Sequence, residues 1–139
     1  MTHRHCFALD LVDQPQAVEA YEAWHRPGKT PAEVVAFFRE HGVEDLQIHR
    51  AGNRLFMILD LRDEVSAADF ARAGDNASMK AWVDRMSAYQ QPIAFGAVAP
   101  QSPSQDWVAM SELFNLKDHP DPLGRDDADR HPHSQQELL

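Results

Sequence analysis

Two side chains able to handle protons stand four residues apart in the segment AYEAWHRPGKTPAE: Tyr21 and His25. In a helix that spacing puts both on one face, about one turn apart. The Pro27-Gly28 break places His25 where the helix stops. Histidine is the side chain best matched to proton transfer near neutral pH, with an ordinary pKa of about 6.5. A tyrosine beside it can donate or accept a hydrogen bond and orient a hydroxyl-rich ligand. The pair suits a reaction that only moves protons. The same spacing also fits a helix-end histidine interacting with the helix dipole beside a tyrosine packed in the core. Spacing alone leaves both readings open.

Other residues carry weaker signals. Glu112 lies among apolar neighbours in VAMSELFNL, where a carboxylate can meet a ligand hydroxyl, pair with a buried cation or sit at an interface. His3 with His5, and His131 with His133, have the look of ligand pairs, but each lacks a third ligand at recognisable spacing, so no metal is expected. Cys6, the single cysteine, sits in an apolar strand and reads as core filling. It excludes an internal disulfide framework and makes a cytoplasmic location the expectation.

Hydrophobic periodicity supplies the elements that must hold these groups. Arg4 to Val12 alternates with period two and reads as a strand. Gln14 to His25 reads as a helix, and a second begins at Thr30, where Thr-Pro-Ala-Glu has the order of a capping box, and ends at Gly42. Strands over Asp45–Arg50 and Arg54–Leu61 are joined by Ala-Gly-Asn as a short hairpin. A helix starts at Ser66, Asp75-Asn76 marks a break, and Ser78–Tyr89 is the next helix. Gln90 to Asp106 reads as a loop and Trp107 to Leu116 as the last strand. The polar, proline-bearing residues 118–139 read as a mobile or surface-draped tail behind one domain over 1–117.

Strand, helix pair, two strands, helix pair, strand is the order of the split βαβ, or ferredoxin-like, α+β fold: an antiparallel sheet with helices on one face. The second strand of the hairpin is apolar on both sides, with Leu55, Met57, Leu59 and Leu61 against Phe56 and Ile58. That predicts a ligand pocket or a partner subunit on the second face, and a homodimer is the expectation.

The 139-residue chain has a formal net charge of −9 and 43% hydrophobic residues, the composition of one globular domain. No Lys/Arg cluster offers a footprint for nucleic acid, and no apolar run is long enough for a membrane span or a signal peptide.

Taken in order, several short motifs resemble the L-rhamnose mutarotase family, which includes related L-fucose mutarotases. They are Tyr21 and His25 in AYEAWHRP, His41-Gly42 in FFREHG, the hairpin AGNRLFMILDL, Trp82 to Met86 in KAWVDRM, and MSELFNL at Met110 to Leu116. The resemblance runs from Arg4 to Leu116. It implies a dimeric α/β barrel that needs no cofactor and acts on a small sugar. His25 would be the proton-transferring catalytic residue, Tyr21 its sugar-contacting partner, and Trp82 the first of the family's tryptophan pair. The second of that pair is Val83 here, and a sugar-contacting tyrosine after the His-Gly falls on Leu46. His49 stands as a candidate to compensate, Phe56 as a candidate wall for a deoxy methyl group, and Glu112 as a further candidate sugar contact.

The implied reaction interconverts the α and β anomers of a 6-deoxy-L-hexose, L-fucose or L-rhamnose, by acid–base ring opening and reclosure. The competing readings share the architecture: a haem-handling protein in which a helical histidine binds iron, a small monooxygenase, or a non-catalytic module that binds a small ligand.

Overall fold

The computed structural model describes residues 1–93 and 107–125. In chain order the elements are β1 (Thr2–Leu11), α1 (Pro15–His25), α2 (Ala32–Glu40), β2 (Val43–Ala51), β3 (Arg54–Arg62), α3 (Ala67–Ala73), α4 (Ala77–Ser87), β4 (Gln90–Gln91) and β5 (Val108–Ala109). The strands form one antiparallel sheet in the order β2-β3-β1-β4, and β5 also pairs with β1. The sheet is open, with β2 at one edge and β4 and β5 sharing the other. This is the ferredoxin-like α+β arrangement that the element order predicts.

Register assigns each strand residue to a face, because directly opposed residues point the same way. Phe7 faces Met57, Leu9 faces Leu55, and on β2 Leu46 faces Leu59 and Ile48 faces Met57. These residues make the inner face, which packs with Val18, Tyr21 and Trp24 of α1 and Trp82 and Met86 of α4. A second apolar cluster of Val34, Phe37 and Met79 joins α2 to α4, with Phe70 of α3 against it. The outer face carries Cys6 opposite Ile58 and Ala8 opposite Phe56. Cross-strand ion pairs frame that apolar centre, Arg4 with Asp60 at 2.8 Å and Arg54 with Asp10 at 2.9 Å.

Local chemistry explains the boundaries. Pro15 occupies the first turn of α1, where a missing N–H costs nothing. Ser66 and Asn76 cap α3 and α4 by accepting from the backbone N–H groups of Asp69 and Met79. The capping box expected at Thr30 does not form. The Thr30 hydroxyl donates instead to the Trp24 carbonyl at 2.8 Å, satisfying one of the orphan acceptors at the end of α1. Gly42, at φ +89°, closes α2 into β2, and a Cβ there would lie 2.5 Å from the Val65 side chain. Asn53, in the β2–β3 turn, exchanges bonds with Leu11: its carbonyl accepts from the Leu11 N–H and its side chain donates to the Leu11 carbonyl.

Two expectations change at the second sheet edge. Gln90 and Gln91, read as the start of a loop, pair with Leu11 and Asp10 as β4. Two backbone bonds at the end of α4 favour this, the Tyr89 N–H on the Met86 carbonyl at 3.0 Å and the Val12 N–H on the Tyr89 carbonyl at 2.8 Å. The rest of that predicted loop lies outside the described residues, as do His131 and His133. Among the described residues, the strand expected over Trp107–Leu116 pairs only at Val108–Ala109, followed by one further bond from the Met110 N–H to the Cys6 carbonyl. Beyond Met110 the alternating apolar side chains pair with no neighbouring strand among the described residues, and Leu113 is 94% and Phe114 66% exposed.

Candidate active site

A cavity of about 480 Å³ lies between the helices and the inner face of the sheet. α1 delivers Tyr21 and His25 to it, α4 delivers Trp82 and Val83, and β4 delivers Gln90. Its deep wall is apolar, including Phe7, Met57, Leu59 and Met86, and Trp107 also lines it. The Arg50–Glu22 ion pair, at 2.6 Å, links α1 to β2 outside the cavity.

His25 is oriented from below by its own helix. Its Nδ1 donates to the Tyr21 carbonyl at 2.6 Å, and since a carbonyl can only accept, the neutral ring carries its proton on Nδ1. The Nε2 lone pair is then the free, basic site. The imidazole stacks on the Tyr21 ring, with centroids 4.2 Å apart and planes at 29°, and meets the Trp82 ring at 5.4 Å and 63°. Burial pushes the His25 pKa below its usual value, and the bond to the Tyr21 carbonyl opposes this only in part. The imidazole is therefore an unprotonated base at neutral pH.

Tyr21 is shifted the other way. It is 4% exposed, and burial raises its phenol to about 12, with the Gln90 side chain pulling it back slightly. Tyr21 thus keeps its proton where His25 has lost its own. Two neighbouring groups whose environments separate their pKa values are a base and an acid ready for paired work. Trp82 is steadied by the edge of Trp24 at 6.2 Å, and Arg85 covers Trp24 at 4.6 Å.

Of the residues singled out from the sequence, Tyr21, His25 and Trp82 come together on the cavity wall, and the two departures from the family pattern, Leu46 and Val83, line it as well. His49 does not join them. It is opposed to Phe56 on the outer sheet face, exposed, with its ring bonded to Gln47 at 3.0 Å. Phe56 lies on that same outer face, and its inward neighbour Met57 takes the wall position expected of it. Glu112 is exposed on the run beyond β5, outside the lining of the cavity. A one-residue parity decides each strand assignment, and an alternation that is apolar on both sides does not reveal which side meets the helices. His3 and His5 use their nitrogens within the protein, His3 bridging His5 and the Val65 carbonyl at 2.7 Å each. Among the described residues no group of three or more His, Cys, Asp or Glu side chains could hold a metal ion.

Gln90, Thr30 and Trp107 line the cavity without having been singled out as site residues. Gln90 had no periodic signal around it. Thr30 was absorbed into a capping motif, and Trp107 into a strand. No helix among the described residues is long and apolar enough to cross a membrane.

The L-fucose mutarotase of Xanthomonas campestris pv. campestris is 32% identical over 116 residues, spanning 83% of this chain and 89% of that protein. The crystal structure of an L-rhamnose mutarotase from Formosa agariphila superposes with a TM-score of 0.58 at 20% identity, over 81% of this chain and 97% of that one. Tetracenomycin F2 cyclase from Streptomyces glaucescens, a type II polyketide cyclase, shares the fold with a TM-score of 0.56 at 14% identity, over 81% of this chain and 95% of that one. The L-rhamnose mutarotase family model matches residues 4–116, and the chain belongs to that family.

Proposed function

We propose that this protein interconverts the anomers of a free 6-deoxy-L-hexose at the cavity between α1, α4 and the sheet. The observation that carries this reading is the opposed pair on α1: a neutral His25 with Nε2 free and a protonated Tyr21, stacked at 4.2 Å. His25 Nε2 takes the proton of the anomeric hydroxyl while the Tyr21 hydroxyl gives one to the ring oxygen. The C1–O5 bond breaks and C1 becomes the aldehyde carbon. Rotation about C1–C2 presents the other carbonyl face, and the same two transfers run backwards to close the ring. No atom is gained or lost and no electron changes hands. Trp82 offers an apolar platform for the C–H face of the sugar, and the aliphatic wall around Met57 and Leu59 accommodates a deoxy methyl group. Membership of the mutarotase family favours this reading over haem handling, oxygenation or simple ligand binding.

For sugar choice the reading is L-fucose at least as readily as L-rhamnose. Leu46 and Val83 stand on the cavity wall where the family has larger side chains, one of them a hydroxyl donor. A lost hydrogen bond to one ring hydroxyl relaxes selection for the sugar that used it. Saturation-transfer NMR with L-fucose, L-rhamnose, D-galactose and D-ribose measures anomer exchange directly. Exchange of the two 6-deoxy sugars, with L-fucose at least equal, is expected. No acceleration of any of the four sugars sinks the proposal, and strong preference for L-rhamnose removes the specificity argument.

The working unit in this reading is a cytoplasmic homodimer. Its support is the apolar centre of the outer sheet face and the uncovered run from Met110 to Leu116, which a second copy can cover by two-fold symmetry. Light scattering at micromolar concentration should give twice the chain mass, and a monomer throughout would refute it.

A further inference from the structure

The chain leaves α1 through a turn that brings it straight back. Arg26, Pro27, Gly28 and Lys29 make a tight reversal in which the Lys29 N–H donates to the Arg26 carbonyl at 2.9 Å. Proline second and glycine third, the latter at φ +79°, is the order of a type II turn. Thr30 comes next, and its hydroxyl donates to the Trp24 carbonyl at 2.8 Å. That carbonyl belongs to the peptide group joining Trp24 to His25, so the bond holds the Thr30 oxygen beside the backbone of the histidine. Thr30 is half-buried there. Both Thr30 and His25 line the cavity, and both also line an open groove of about 660 Å³ on the other side of the same lip.

A hydroxyl has one hydrogen to donate and two lone pairs with which to accept. A carbonyl can only accept, so the Trp24 carbonyl takes the Thr30 hydrogen and fixes the sense of the hydroxyl. What Thr30 keeps for a ligand is acceptor capacity, and among the described residues no other group uses it. In the sugar, the anomeric carbon C1 has two ring neighbours. The ring oxygen carries no hydrogen, whereas C2 carries a hydroxyl, so the 2-hydroxyl is the nearest further donor to the atom that His25 attends. We propose that Thr30 is a specificity-determining residue: its oxygen accepts a hydrogen bond from the 2-hydroxyl of the sugar while His25 works on the anomeric hydroxyl. This rests on the mutarotase reading above. With the hydroxyl on C4, the 2-hydroxyl is one of the two whose orientation separates L-fucose from L-rhamnose. A site that hydrogen-bonds a substrate hydroxyl rejects the analogue that lacks it.

The test crosses two proteins with two sugars: the parent and Thr30→Val, which keeps the shape and removes the hydroxyl, each with L-fucose and 2-deoxy-L-fucose. Comparing variant with parent on each sugar cancels the sugar's own reactivity, and any slackening of the helix end affects both sugars alike. Thr30→Val should lower kcat/KM for L-fucose about tenfold, mainly through KM, the loss of one hydrogen bond. For 2-deoxy-L-fucose it should change kcat/KM by less than about twofold, since the partner hydroxyl is already gone. Thr30→Ser, which keeps the hydroxyl, should keep the parent's discrimination against the 2-deoxy sugar. An equal loss on both sugars shows that the bond to Trp24 serves the helix end alone and overturns the proposal, as does parent-like kcat/KM for L-fucose in Thr30→Val. Calorimetric Kd values for the same crossed set read the contact without any turnover. The tenfold pattern in Kd supports the contact even if the parent exchanges no anomers, an outcome that sinks only the mutarotase reading. A parent that exchanges anomers without the pattern overturns the contact and leaves that reading standing, and a parent that binds neither sugar overturns both.

Discussion

Two helix ends in this molecule carry the same local device. At the end of α1, His25 Nδ1 donates to the Tyr21 carbonyl at 2.6 Å and the rings stack at 4.2 Å. At the end of α2, His41 Nδ1 donates to the Phe37 carbonyl at 2.8 Å and the rings stack at 4.3 Å. In both, an aromatic residue precedes a histidine by one turn, and the histidine folds back onto its helix. The surroundings differ. His25 meets Trp82 on the wall of the cavity, whereas His41 lies outside that lining, beside the Gly42 turn. The aromatic partner differs too: a phenol in one pair, a plain phenyl in the other. A turn-spaced aromatic and histidine make a rigid imidazole with a free Nε2; what that nitrogen faces makes it a base or a piece of packing.

The strongest way to break the comparison is to remove each imidazole. His25→Ala should lose most enzyme-dependent anomer exchange, about 10²–10⁴-fold, the usual worth of a general acid–base group, with the fold retained by circular dichroism. His41→Ala should exchange within about twofold of the parent, since its part-buried ring packs on Phe37 outside the cavity. Equal loss in both variants would mean that helix stability, not proton transfer, explains the His25 result.

A smaller effect is expected from making the two pairs chemically alike. Tyr21→Phe turns the α1 pair into a copy of Phe37 and His41. The stacking remains and only the hydroxyl goes, so exchange should fall by roughly tenfold, less than in His25→Ala. A variant with unchanged rate and sugar affinity would reduce Tyr21 to a packing residue.

The mildest test is pH. A base must be unprotonated to act, and burial lowers the His25 pKa, so the acidic limb of kcat/KM should lie below the ordinary histidine value of about 6.5. With the phenol held near 12, Tyr21 should cause no loss through the neutral and mildly alkaline range. The same shift links to folding: the unfolded chain binds the His25 proton more readily, so this contribution is present above about pH 6.5 and is lost as pH falls through the lower folded value. An acidic limb above 6.5 in anomer-exchange rates would contradict the assignment of His25 as the base.

Much of the architecture was legible because its causes are local. Alternation marked β1 and β3 to within about two residues at each end, since one buried face imposes period two. Ser66 is legible as a helix start because a short polar side chain satisfies an orphan N–H group there, and Asn76, legible only as part of a break, caps α4 in the same way. The second sheet edge was less legible. Gln90 and Gln91 become a strand only because Leu11 and Asp10 lie alongside, and the run from Ser111 to Leu116 alternates like a strand without a strand partner among the described residues. Thr30 showed the same limit, its hydroxyl serving the preceding helix in place of its own.

For the site, the sequence by itself determined the Tyr21–His25 pair, its rigid geometry and its place at a helix end, because one turn of helix is enough to build it. Tertiary structure alone decided which polar groups surround that pair. It brought Trp82 and Gln90 to it from α4 and β4, and it turned His49 to the opposite face of the sheet. The physical reason is range: hydrogen bonds and stacking one turn apart are set by backbone geometry, whereas desolvation and strand parity depend on residues far along the chain that meet only when the sheet forms.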